Sequence, residues 1–246
     1  MTNYVDWKFA TSAGTRLVPP GPDVSPEEAV EAVEEIRALA GQAVEPVAAT
    51  SRLRAPGDAP APLVIDRRTW IEVNAASMSG MLDPAFEAAS RRKTKEPSAA
   101  AQAVGSKITG AEAGGMLAFL STKVLGQYDL APDGDPALLL VAPNIVATER
   151  DIDAVPRDFR LWVCLHEETH RVQFTAVPWL RDHLVTNARS LAGDLMPDSE
   201  ALRTRHAGED DHGQGEHDDL VDSGHDRAHG ERQLDPGEDV PTGGAE

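Results

Sequence analysis

The sequence predicts a mainly α domain with a short strand element just ahead of one histidine-bearing helix. Hydrophobic residues reach 41% of the chain while aromatics are only 4%, so Ala, Leu and Val must do most of the packing. Such a composition favours helix, because Ala loses no side-chain entropy there. Apolar stripes recur at three- and four-residue spacing behind recognisable helix starts. One run, Ala137-Leu138-Leu139-Leu140-Val141-Ala142, is instead short and continuous. It follows the turn residues Asp133-Gly134-Asp135-Pro136 and reads as a buried strand.

Taken in order, Val18-Pro19-Pro20-Gly21-Pro22 is turn-rich and leads to a helix start. Ser25 suits the N-cap, Pro26 the first helical position and Glu28 the capping-box position. Val30, Val33, Ile36 and Ala40 then predict an amphipathic helix over 26–40, ending at Gly41. The prolines between Ala55 and Pro62 predict a loop. Asp66 is the expected cap of a second helix through Trp70, Val73, Ala76 and Met81. The basic stretch Arg91 to Lys95 reads as a solvated helix end. Residues 98–127 read as one long or broken helix. Its Gly105, Gly110, Gly114 and Gly115 each cost up to ~1 kcal/mol relative to Ala, which suggests a closely approaching backbone. Pro156 opens a helix through Phe174, and Pro178 another to about Ala192.

A formal charge of −18 argues against nucleic acid as a partner, since phosphate contacts need clustered Lys and Arg. Half of that charge sits in residues 203–246, where 13 acidic residues face 4 basic ones for a net −9. The same 44 residues hold eight glycines and five of the eight histidines but only two leucines and two valines. Such a stretch buries too little apolar surface to offset its ordering entropy, and it is expected to be a disordered acidic tail. The single cysteine, Cys164, excludes an intramolecular disulfide and fits a reducing compartment. With no signal pattern and no bilayer-length apolar run, a cytoplasmic protein without a membrane partner is expected. The residues leave the oligomeric state open.

The chemistry sits in His166-Glu167-Glu168-Thr169-His170. Four residues turn a helix through about 400°, so His166 and His170 project from nearly one face and can share a Zn²⁺. Glu167 points elsewhere and can act as the general base toward a water that zinc acidifies, passing the proton to a leaving nitrogen. This is the mechanical sense of the HExxH pattern. The apolar segment Leu161 to Leu165 precedes it, and the strand candidate upstream stands where zinc peptidases place a substrate-aligning edge strand. Glu168 is the unusual member, charged at a position more often uncharged. The plain alternative is two histidines on an ordinary amphipathic helix.

Phe159 to Phe174, together with Phe119 to Asp129, Val141 to Ile145, Ala176 to Leu180, Val5-Asp6-Trp7 and Arg16 to Pro22, resembles the actinobacterial zincin-like metallopeptidase family. Its members are often labelled zinc-dependent metalloproteases or proteins associated with biosynthesis of a deazaflavin coenzyme. The resemblance covers roughly residues 5–202. It implies a zincin-like fold and a peptidase acting on a peptide or protein substrate.

A catalytic zinc also needs a third protein ligand. The elongated metzincin pattern fails at Gln173 and Ala176, and the chain has no further helix carrying an acidic residue comparable to that of the family. The remaining donors are Asp182, His183, Asp194 and Glu200, none at persuasive spacing. His183 reads as a surface or core residue, and Cys164 as a packing residue. These features predict an incomplete metallopeptidase domain over 1–202, with the coding sequence truncated or frameshifted near 203. Two functions follow: a zinc hydrolase with Glu167 as base, or a catalytically incompetent scaffold that binds or regulates. A helical interaction protein with a fortuitous motif is the third reading.

Overall fold

Helix α1 (Trp7–Leu17) opens a computed structural model that describes residues 4–57, 59–91 and 98–194. There follow α2 (Pro26–Ser51), β1 (Leu63–Ile65), α3 (Arg67–Ser90), α4 (Ala99–Leu120), β2 (Gly126–Asp129) and β3 (Ala137–Val141). The described part ends with α5 (Ala142–Asp151), α6 (Pro156–Ala176) and α7 (Pro178–Asp194). The boundary expected near residue 203, the tail 203–246, Glu200 and most of the basic stretch 91–95 lie outside the described residues.

The capping box that starts α2 is complete. Glu28 N donates to Ser25 Oγ at 3.1 Å, and Ser25 N donates to Glu28 Oε2 at 2.8 Å. The helix does not stop at Gly41, as the sequence suggests, because Ala43 and Val47 continue the buried stripe of Ile36, Leu39 and Ala40. It ends where Arg52 turns left-handed, its N–H bonded to Ala48 O.

Two of the four glycines noted in α4 serve a close helix crossing, and the partner is α1, which the sequence reading left unassigned. A Cβ at Gly110 would sit 2.7 Å from Asp6 O, and one at Gly114 only 2.5 Å from Ala10 O. Gly105 and Gly115 face open space. The helix also ends earlier than the expected 127. Asn144, buried at the start of α5, donates to Ser121 O at 2.7 Å and Val124 O at 2.6 Å, which supplies partners for the carbonyls of the turn after Leu120. Its Oδ1 accepts from Arg67 Nε at 2.6 Å.

β3 is the centre of a three-stranded sheet, parallel to β1 and antiparallel to β2. Its continuous apolar run reflects burial on both faces. Leu140 packs with Ile36, Leu39, Ile145, Val163 and Cys164 from α2, α5 and α6. Leu139 and Val141 pack oppositely, with Trp70, Ile71 and Leu117 from α3 and α4. The expectation of an edge strand at Ala137–Ala142 is therefore corrected. The strand beside α6 is β2, which lies at one edge of the sheet. Its residues Gly126, Gln127 and Tyr128 carry no apolar run to announce them. Among the described residues no helix is long and apolar enough to cross a membrane.

Candidate functional site

α6 is fixed along its length before it presents any chemistry. Arg160 near its start pairs with buried Glu149 of α5 and donates to Glu35 of α2 at 2.6 Å. Val163, Cys164 and Val172 sink into the core. Glu168 accepts two bonds from Arg171, Nε at 2.7 Å and Nη2 at 2.9 Å, and both side chains are buried. The charge that looked out of place in the motif is thus neutralised within its own helix, and Arg171 also donates to Pro60 O at 3.3 Å.

His166 and His170 come together as their spacing requires. Their ring centroids lie 4.9 Å apart with the planes at 84°. His166 is exposed and His170 half-buried, so solvent reaches both. Trp162, one turn earlier, stacks on His166 at 5.7 Å, and Phe159 stacks behind Trp162 at 6.0 Å. His170 Nδ1 lies 3.2 Å from Gln173 Oε1. A hydrogen on Nδ1 donated to that oxygen leaves the Nε2 lone pair available, the arrangement common to metal-ligating histidines.

Glu167 points inward, 6% exposed, between α6 and β2. Among the described residues its carboxylate makes no hydrogen bond and no salt bridge. Burial raises its pKa from 4.5 to about 7, and the nearby His170 offsets only part of that rise. The side chain rests against Gly126, where a Cβ would meet Glu167 Cγ at 2.5 Å and Cδ at 2.6 Å. One turn-pair further on, Phe174 of α6 stacks on Tyr128 of β2 at 5.2 Å and 5°. Helix and edge strand are therefore in register beside the motif. Sequence reading passed over Gly126, although a glycine in a strand is itself a sign of close approach. It also passed over Trp162 as a neighbour of the first histidine.

The other named donors lie elsewhere. Asp182 is exposed beside Arg181, and His183 packs edge-on to Trp179 at 5.6 Å on α7. Asp194 closes α7. Among the described residues no group of three His, Cys, Asp or Glu side chains is placed to hold a metal. Cys164 is buried, and burial together with the Glu167 charge pushes its thiol up to about 12, which suits packing rather than nucleophilic chemistry. A cavity of about 1000 Å³ opens around Glu35, Glu149, Arg157 and Arg160, at the start of α6. None of His166, Glu167 and His170 lines it.

Two imidazoles on one face, one with its second nitrogen engaged, beside a largely buried carboxylate, are donors of the kind that zinc takes. Comparison with known proteins places the chain in a family. A crystal structure from Chloroflexus aurantiacus, described as a candidate hydrolase with a novel fold, matches at 30% identity and a TM-score of 0.59. The match covers 80% of this chain but 62% of the other, so the chain spans less than two thirds of that protein's length. No curated protein matches. The family model for zincin-like metallopeptidases matches residues 5–232, continuing past residue 203, where the sequence alone suggests a break. With most of its length matched and an HExxH helix laid beside a sheet edge, this chain belongs to the zincin-like metallopeptidase family.

Proposed function

We propose that the chain is a zinc-dependent hydrolase, a metallopeptidase that cleaves an amide bond of a peptide or protein with water. The observation that carries this reading is Glu167: a residue only 6% exposed whose carboxylate makes no hydrogen bond among the described residues, still meets solvent, and adjoins two solvent-reached imidazoles. A carboxylate largely withdrawn from water without a hydrogen-bonding partner costs stability unless something is gained from keeping it. A general base poised near neutral pH is such a gain.

His166 and His170 would hold the metal through neutral ring nitrogens. When bound, zinc supplies a Lewis acid that lowers the pKa of water toward about 7 and polarises a carbonyl. Glu167 takes the proton from the attacking water and delivers it to the leaving nitrogen. β2, at the edge of the sheet, offers backbone donors and acceptors along which an extended substrate can add as a further strand.

A second reading is a zincin-like scaffold that binds or regulates without turnover. It is favoured by the donor set, because among the described residues no third ligand joins His166 and His170. Incubating the zinc-loaded chain with a mixed peptide library, and reading the products by mass spectrometry, separates the two. The hydrolase reading expects cleavage that Glu167→Gln lowers by roughly 10²–10⁴-fold while zinc stays bound. Identical product patterns for both proteins, or no cleavage by either, would leave the scaffold.

A further inference from the structure

We infer that Gly126 is a positioning residue for the reaction: the missing side chain at the start of the edge strand makes the space in which the Glu167 carboxylate is held. The inference rests on the hydrolase reading above.

Three observations carry it. First, nothing but the close approach calls for glycine at 126. Its backbone lies outside the left-handed region, so an alanine there would adopt the same strand conformation without strain. Second, the three atoms nearest to such a Cβ all belong to one side chain. They are Glu167 Cγ at 2.5 Å, Cδ at 2.6 Å and Oε1 at 2.8 Å. Third, the two backbones cannot readily part. Val141 N donates to Leu125 O at 2.8 Å, and Gly126 is paired in register with Leu140 of the central strand. On the other side, Arg160 is tied to Glu149 and Glu35, and Val163 and Cys164 are packed in the core. The movable part is the Glu167 side chain.

A methyl group at 126 therefore displaces the carboxylate and leaves the fold standing. Neither His166 nor His170 supplies any of the three atoms nearest the added methyl group, all of which belong to Glu167. Their metal affinity is expected to persist. Misplacing a reacting group by about 1 Å is enough to cost on the order of 10² in rate.

The test compares zinc-loaded full-length wild type with Gly126→Ala, using Gly115→Ala as a control. Gly115 faces open space on α4 and takes no part in the site. Crystal structures report where the Glu167 carboxylate lies, elemental analysis reports zinc, and peptide cleavage gives kcat and KM separately. The expected result is a displaced carboxylate, unchanged zinc and KM, and a kcat lower by on the order of 10²-fold; Gly115→Ala matches wild type. A merely structural role would lower zinc content or raise KM instead, and that outcome overturns the inference. So does a Gly126→Ala protein whose carboxylate has not moved, or whose kcat is that of wild type. If zinc-loaded wild type cleaves nothing, the hydrolase reading is lost. The crystallographic comparison then decides on its own whether Gly126 sets the place of the carboxylate.

Discussion

Glu168 and Arg171 share two hydrogen bonds across one turn of α6, and almost nothing of either side chain reaches solvent. Glu168 lies two residues past His166, about 200° around the helix, so this pair anchors the side away from the first imidazole. Removing one partner strands a buried charge. Glu168→Gln is expected to destabilise the protein by roughly 3–5 kcal/mol, whereas replacing both residues with Met is close to neutral. Denaturant midpoints of the single and double variants check this.

Glu167 gives a pH-dependent signature in the metal-free chain. Its folded pKa of about 7 stands above the ordinary 4.5, so folding favours the protonated carboxyl. The stabilisation is complete below pH 4.5 and is lost as the pH rises through 7. Glu167→Gln keeps a neutral group at every pH. Wild type should therefore lose on the order of 2 kcal/mol relative to the variant across that window, after allowance for residual solvent screening. Urea titrations at matched ionic strength measure the difference, and parallel curves would exclude a buried titrating Glu167.

The α1–α4 crossing separates glycines that are needed from glycines that are not. Gly114→Ala sets a Cβ 2.5 Å from Ala10 O and is expected to cost about 1–3 kcal/mol. Gly115→Ala, one residue on and facing open space, should instead stabilise by about 0.5–1 kcal/mol through helix propensity. Opposite shifts of the melting temperature are the expected readout.

Asn144 joins three segments that are distant in sequence. Asn144→Ala leaves Ser121 O, Val124 O and Arg67 Nε without this partner, at an expected cost of about 3 kcal/mol. Asn144→Asp keeps the acceptor for Arg67 but loses both donated bonds, so it should not restore stability. Chemical denaturation distinguishes these outcomes from a neutral substitution.

Features written in local spacing were legible in the sequence. The cap at Ser25, the helix starts at Pro156 and Pro178, the strand at Leu138–Val141 and the pairing of His166 with His170 all follow from residues within one or two turns of each other. What escaped depends on distant partners. α1 packs on α4 through Gly14 and Gly114, where backbones rather than side chains meet, so no apolar stripe announces the contact. β1 has three residues and acquires its place by pairing with β3. β2 reads as polar, and its Gln127 and Asp129 find their partners in Asn74 and Ser77 of α3, about fifty residues away in sequence. The end of α4 is set by Asn144, more than twenty residues downstream. Gly41 is a local signal that misleads, since the apolar stripe beyond it outweighs the cost of a single exposed glycine.

The central claim is that His166 and His170 jointly hold zinc with Glu167 beside them. Zinc content per chain, measured by elemental analysis after mild purification of wild type and His166→Ala, tests it most directly. One zinc per wild-type chain, lost in the variant, is the predicted result. Wild type carrying no zinc, or a variant carrying as much as wild type, would contradict it.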